Sequence, residues 1–235
     1  MKAIRSIGII MDGNRRWAKE RGLPSFEGHR AGFDTLKKLA GDLPALKEKY
    51  GLEYVTLYAF STENWNRLQG EVGYLMNLFE EGLKWIVNEH VKNGEKNPGS
   101  AIKIKIIGER ERFSSALQAL MAEAEETTKN FGGTTVTFGL SYGGRAEIIN
   151  AVTRMQKTRE PVTESTFSKA LWTGDIPDPD IIIRPGGEHR LSNFLPWQGV
   201  YSELFFPKTY WPDFTREELE KVFAEYYERE RRIGT

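Results

Sequence analysis

The segment Met11-Asp12-Gly13-Asn14-Arg15-Arg16-Trp17 sets one carboxylate, a glycine and two guanidinium groups directly after the apolar run Ile7 to Met11. A guanidinium grips phosphate through paired N–H donors, a carboxylate takes a hard cation through oxygen, and Gly13 lets the backbone come close to a ligand. Asp12 is thus a candidate cation ligand and Arg15 and Arg16 candidate phosphate ligands, although Asp-Gly-Asn is also common turn chemistry. A second cluster, YAFSTENWNR from Tyr58 to Arg67, follows another apolar run. There Ser61 and Asn64 have the groups to relay or orient a proton, and Arg67 has the charge to hold phosphate. Phe60 and Trp65 have rings that either cover an apolar ligand or simply pack. A third cluster, PDIIIRPGGEHRLSNF from Pro179 to Phe194, empties an isoleucine run into two glycines flanked by Arg184 and Arg190, with Ser192 beyond. These cations and the hydroxyl suit a diphosphate, and the glycines would let main-chain amides join them. Glu203, in YSELFF, is a carboxylate among apolar residues and a second candidate for a cation.

Each cluster needs a strand to deliver it. Short β-branched runs at Ile7 to Met11, Tyr54 to Phe60, Ile102 to Ile107, Thr134 to Leu140 and Ile181 to Arg184 alternate with amphipathic stretches. That alternation predicts a mostly parallel sheet flanked by helices, an α/β fold whose ligands gather at the carboxyl ends of the strands. Helices are expected over 29–50, 72–91, 112–129, 145–158 and 215–231. The helix from Val72 carries more apolar residues than one stripe needs, among them Leu78, Trp85 and Val87. This surplus either fills a core or a dimer interface, or walls a hydrocarbon chain. Asn93 to Ser100 (NGEKNPGS) reads as a polar loop inserted before the next strand.

Composition narrows the classes. The 235 residues suit one domain spanning 1–235, and 33 basic residues against 33 acidic ones give no general pull toward nucleic acid. With no cysteine there is no disulfide, thiolate nucleophile or sulfur-bound metal. No apolar run approaches a membrane span, so a cytoplasmic protein is expected. The P-loop, the dinucleotide glycine loop and the HExxH zinc helix are all missing. Ile10 stands where a haloacid-dehalogenase phosphatase needs its second aspartate, and no DDxxD motif occurs.

Six segments taken in order, IIMDGNRRWA, GHRAG, YAFSTENWNR, SYGGRAEI, IRPGGEHRLSNFLPWQGVYSELFF and RRIG, resemble the cis-prenyltransferase family typified by undecaprenyl diphosphate synthase. The resemblance implies a single α/β domain with a hydrophobic tunnel between the sheet and two helices, working as a homodimer. It implies magnesium-dependent addition of isopentenyl diphosphate in cis to an allylic prenyl diphosphate such as farnesyl or geranylgeranyl diphosphate. The product would be a long polyprenyl diphosphate, precursor of a glycosyl carrier lipid, with transient membrane contact at release. By residue, Asp12 matches the magnesium-linked carboxylate, and Gly13, Asn14, Arg15, Arg16 and Trp17 fall in the allylic diphosphate segment. His29, Ser61 and Asn64 match positions implicated in proton handling, and Phe60, Trp65 and Arg67 belong to the covering loop. Arg184, Arg190 and Ser192 match the isopentenyl diphosphate site, His189 and Glu203 the metal side, and Arg232 and Gly234 an element that completes the partner's site.

The chain also departs from the family pattern. Ser6 stands where His is usual, Arg15 for Gly, Ser25 for a phosphate-binding Arg, Ser141 for Asn and Pro185 for Thr. Arg15 is expected to replace the cation missing at Ser25, and the Asn93 to Ser100 insertion points to a longer product. Two rival readings remain at this stage: a non-catalytic subunit of a heteromeric enzyme, and a metal-dependent phosphohydrolase on a similar sheet.

Overall fold

The computed structural model describes residues 3–91 and 96–229. Arg232 and Gly234 lie outside the described residues, as do Asn93 to Glu95 of the inserted loop. A six-stranded sheet has the order β3-β4-β2-β1-β5-β6, and every neighbouring pair is parallel. Its strands are β1 (Ser6–Ile10), β2 (Tyr54–Ser61), β3 (Lys103–Ile107), β4 (Thr135–Tyr142), β5 (Ile181–Ile183) and β6 (Glu203–Phe205). The helices are α1 (Asn14–Glu20), α2 (Ser25–Tyr50), α3 (Gln69–Trp85), α4 (Ser115–Thr128), α5 (Gly144–Thr158), α6 (Glu164–Ala170) and α7 (Arg216–Glu228).

β1 is buried at every position, as a central parallel strand covered on both faces must be, and so after Ser6 it carries no polar side chain. The main core joins Ile7 and Ile9 of β1 with Leu39 and Leu43 of α2, Leu75 of α3 and Met121 of α4. A smaller cluster of Ala151, Met155, Phe167 and Leu171 fastens α5 to α6.

Several boundaries differ from the sequence expectation. The helix expected at 72–91 is α-helical only to Trp85 and continues as a π turn over Ile86–His90. The segment before Ser115 is a 3-10 turn, Arg110–Arg112. β6 and α6 were not anticipated, because three and seven residues are too short to display a period. Asp178-Pro179-Asp180 is an irregular lead-in to β5 with a bend at Asp180, and the Asp180 carboxylate accepts the N–H groups of Arg5 and Ser6 at 2.9 and 3.2 Å.

Candidate active site

Because β2, β1 and β5 are neighbours, their carboxyl ends deliver all three clusters to one edge. Asp12, two residues past β1, sits against Arg184, the first residue past β5. The Nε and Nη2 atoms of Arg184 donate to Asp12 Oδ2 at 3.0 and 2.8 Å, and Arg16 Nη2 lies 3.2 Å from the same oxygen. Oδ1 accepts the Gly13 N–H at 2.6 Å. Burial alone would raise the Asp12 carboxyl, but Arg184, Arg16 and the Gly13 amide outweigh it and hold the group below its ordinary value, hence ionised. Arg184 is only 5% exposed, and Asp12 and Ser192 pair with its buried guanidinium. Its Nη1 donates to Ser192 Oγ at 2.8 Å and to the Arg190 carbonyl.

The GHRAG glycines place His29. A Cβ on Gly28 would fall 2.0 Å from the Asn14 carbonyl oxygen, and one on Gly32 would fall 2.5 Å from Asn14 Oδ1. Only glycine at both positions lets α2 press against the start of α1. His29, on the same face, reaches Glu71 of α3, with Nε2 to Oε1 at 3.1 Å. Glu71 also accepts Arg67 Nη1 at 2.9 Å, and Arg15 Nε stands 3.9 Å away. Burial would raise the Glu71 carboxyl, yet His29, Arg67 and Arg15 together keep it below its ordinary value. For His29, burial dominates over the attraction of Glu71 and lowers the imidazole, leaving it neutral at pH 7. With Glu71 ionised the imidazole proton belongs on Nε2, and Nδ1 keeps its lone pair.

Behind this edge a cavity of about 1290 Å³ extends under the sheet. That exceeds the roughly 300–1,000 Å³ of most small-molecule pockets. Its polar mouth includes Asp12, Arg15, Arg16, His29, Ser61, Asn64, Arg67, Arg184 and Ser192. Its far part is apolar, walled by Leu39 and Leu43 of α2, Leu75, Leu78 and Leu83 of α3, and Leu57 and Val136 of the sheet. The surplus apolar surface of the α3 segment therefore divides, part facing the core and part facing a void.

Not every expected residue lies on the cavity. Phe60 is fully buried and meets Trp65 edge-on at 4.9 Å and Phe79 at 5.7 Å, while the Trp65 indole donates to Ser141 Oγ at 2.9 Å. Phe60 packs in the core and the partly buried Trp65 packs against it, which removes more apolar surface from water than a place at the mouth would. Trp17 stacks beneath Arg21 instead of lining the cavity. The Gly186 and Gly187 amides do not face a ligand either. They donate to the carbonyls of Pro207 and Thr209, which corrects the expectation that they would bind diphosphate. Gly13, at φ +100, is required by Tyr210, whose ring would lie 2.6 Å from a Cβ there. The Arg190 guanidinium is paired with Glu188 at the rim, and the His189 ring stacks on Phe206 at 4.8 Å.

Glu203 begins β6, level with Ile181 and so with Ile7, whereas Asp12 lies beyond the carboxyl end of β1, more than three strand positions farther along (7 to 10), or over roughly 10 Å at strand rise. It pairs with Arg229 at 2.9 Å. The structure therefore does not bring Asp12, His189 and Glu203 together within one chain, and among the described residues no three acidic or imidazole groups cluster as a metal site. What Asp12 offers is a single hard carboxylate beside the guanidinium groups of Arg16 and Arg184. This fits magnesium, which usually takes one or two carboxylates and completes its shell with substrate phosphate and water. Glu71, Glu63 and Asn193 were missed, since their roles depend on contacts distant in sequence; a Glu four residues after Arg67 was the available hint for Glu71.

A charged strand edge, with Asp12, Arg16 and Arg184 in contact, opens onto a cavity whose remaining lining is largely apolar. The family described as "Putative undecaprenyl diphosphate synthase" matches residues 10–234. An isoprenyl transferase of Fusobacterium nucleatum is 47% identical over 231 residues, 98% of this chain and 95% of that protein. One from Rickettsia sibirica is 40% identical over 100% of this chain and 99% of its own length. Lavandulyl diphosphate synthase from Lavandula x intermedia, solved with dimethylallyl diphosphate, superimposes with a TM-score of 0.88 at 30% identity, covering 98% of both chains. A probable undecaprenyl diphosphate synthase from Campylobacter jejuni gives 0.81 at 29% identity over the whole of both. The chain belongs to the undecaprenyl diphosphate synthase family of isoprenyl transferases.

Proposed function

We propose that this chain is a magnesium-dependent cis-prenyltransferase that extends an allylic prenyl diphosphate with isopentenyl diphosphate into a long polyprenyl diphosphate, the precursor of a glycosyl carrier lipid. The observation that carries this reading is the continuity of one cavity, from Asp12, His29 and Arg184 at its mouth to Leu43 and Val136 deep inside. Arg15, Arg16 and Arg67 face the position for the allylic diphosphate, and Arg184 with Ser192 that for the isopentenyl diphosphate. Asp12 would hold the magnesium ion, which when bound would neutralise charge on the departing diphosphate.

In the reaction the allylic C–O bond breaks, the isopentenyl double bond forms a new C–C bond to the allylic carbon, and the isopentenyl C2 proton leaves. The guanidinium groups stabilise the leaving diphosphate by fixed charge, and the apolar channel keeps water from the electron-poor carbon. Neutral His29, with Nδ1 free, has the lone pair to take the proton. Asn64 Oδ1 accepts the Ser61 N–H at 3.1 Å, a bond that shapes the turn over the substrates.

Homodimer formation is supported by exposed apolar side chains: Ile149 and Val152 on α5, and Val200 and Tyr201 before β6, the first and last 66% and 72% exposed. A partner subunit is also the route by which Glu203 would serve a metal, given its distance from Asp12 in its own chain. No helix among the described residues is long and apolar enough to cross a membrane. A cytoplasmic enzyme that meets the bilayer only to release its product fits that observation.

The test is incubation of the purified chain with labelled isopentenyl diphosphate and farnesyl or geranylgeranyl diphosphate, with magnesium or with excess chelator. Chain-extended products with new Z double bonds, formed only with magnesium, are expected. Release of inorganic phosphate without elongation, or no turnover with any primer, refutes the reading.

A further inference from the structure

The SYGGRAEI segment contributes no side chain to the chemistry above, yet it lies against the site. β4 ends in Tyr142, and Gly143-Gly144 start α5 with no room for a Cβ: at Gly144 one would fall 2.0 Å from Pro196 Cδ, and at Gly143 one would fall 2.7 Å from both Asn193 Nδ2 and Thr62 Oγ1. This close packing brings two substrate loops onto one helix start. Asn193 follows Ser192 directly, and its polar groups engage both sides. Its carbonyl accepts the Gly144 N–H at 2.8 Å, its Oδ1 accepts the Arg145 N–H at 3.0 Å, and its Nδ2 donates to Glu63 Oε1 at 3.1 Å. Glu63 lies between Ser61 and Asn64 in the turn after β2.

The loop that carries Asn193 is strained and needs such support. Ser192, Asn193 and Leu195 all have positive φ, at 49°, 68° and 46°. Asparagine tolerates that region through its short polar side chain, whereas serine and leucine rarely occupy it. Phe194, fully buried and stacked on Tyr58 at 4.8 Å, pins the loop from below. Nearby, Glu147 of the same segment is 1% exposed and accepts from Tyr142, Thr173 and Gln198, which fixes the start of α5.

The geometry points to Asn193 as a positioning residue that links the Arg184–Ser192 loop to the Ser61–Asn64 turn through Glu63, so that the isopentenyl diphosphate position and the turn over the substrates are set as one unit. This rests on the proposed function for its kinetic consequence, but the link itself is a property of the fold. Asn193 lines the cavity, and in this role it acts through its bonds to the Arg145 N–H and to Glu63.

The test exchanges the two partners. Asn193→Asp keeps the acceptor toward the Arg145 N–H but sets a carboxylate against Glu63. Adding Glu63→Gln restores one amide and one carboxylate with the donor reversed. The single variant is expected to raise KM for isopentenyl diphosphate about tenfold, the scale of losing a hydrogen bond to a charged group, and the double variant to recover most of that. Amide hydrogen exchange supplies the arm independent of turnover: residues 61–66 exchange faster in Asn193→Asp and regain protection in the double variant. If the wild type proves inactive, the functional reading fails and exchange alone decides the link. Wild-type KM and exchange in Asn193→Asp, or strictly additive effects with no recovery in the double variant, overturn the inference.

Discussion

Gly28→Ala offers a measurement of how far packing in α2 controls catalysis. The added Cβ would stand 2.0 Å from the backbone oxygen of Asn14, against about 3.4 Å for ordinary contact, so α1 and α2 must part by about 1.4 Å (3.4 − 2.0). The clashing atom is backbone and cannot swing away. Overpacking of this kind costs about 1–3 kcal/mol. Alanine in a helix interior gains about 1 kcal/mol over glycine, which offsets part of it. Gly41→Ala in the same helix isolates that gain, since Gly41 is exposed with nothing within 4 Å of its would-be Cβ. Gly41→Ala should therefore melt about 2–4 °C above wild type, and Gly28→Ala clearly below Gly41→Ala. Displacement of His29, the next residue, should also lower kcat by about a hundredfold, the effect of an ångström-scale misplacement, while Gly41→Ala keeps wild-type kinetics. Thermal unfolding and steady-state rates on the pair decide the matter. A Gly28→Ala protein as stable as Gly41→Ala, with unchanged kcat, would refute the argument that this glycine exists to seat His29.

Arg184→Lys keeps the charge but loses the fork that grips Asp12 and Ser192, so kcat/KM for isopentenyl diphosphate should fall about tenfold to a hundredfold, from roughly 1.5–3 kcal/mol of charge-assisted bonding; a change under twofold contradicts it. Arg15, 62% exposed and held only at 3.9 Å by Glu71, is free to turn toward the allylic diphosphate in place of the cation absent at Ser25. Arg15→Gly should raise KM for the allylic substrate about two- to fivefold and leave that for isopentenyl diphosphate alone, and equal effects on both would dismiss this role. Because burial lowers the His29 imidazole, the folded protein resists a proton that the unfolded chain accepts below pH 6.5. Wild type should then lose stability relative to His29→Asn as pH falls from about 7.5 to about 5, the loss levelling off below the folded-state value. Superimposable pH profiles from urea unfolding would count against it.

The sequence made the fold legible where long apolar runs alternate with amphipathic stretches, as at Ile7 to Met11 followed by the helix ending at Tyr50. The register did the rest: once β2, β1 and β5 are neighbours, Asp12, Ser61 and Arg184 must share an edge. Less legible were contacts set by side-chain direction. Phe60 and Trp65 flank Ser61 and Asn64 in sequence, yet strand and turn geometry send them toward the core. Gly186 and Gly187 looked like anion-binding glycines, but whether an amide faces a ligand or the Pro207 carbonyl depends on a chain segment twenty residues away. Glu71 was hidden for the same reason, since its three basic partners come from α1, α2 and the turn before α3.

The division of the cavity into a charged mouth and an apolar remainder has a mechanical meaning on the proposed reading. Every addition occurs beside the diphosphate, so the hydrocarbon already made must slide inward by one unit per round. Side chains such as Leu39, Leu57, Leu83 and Val136 present no hydrogen-bonding group that would hold the chain in register. Burial of apolar surface is non-directional, at about 0.8 kcal/mol for each methylene, so it favours a longer inserted chain without favouring one position over the next. The charged groups do the opposite: Arg184 and Asp12 are fixed by several directional bonds and stay where the strands end. A polar residue midway along the channel would stop the slide at a set length, whereas an apolar wall lets the end of the cavity set it.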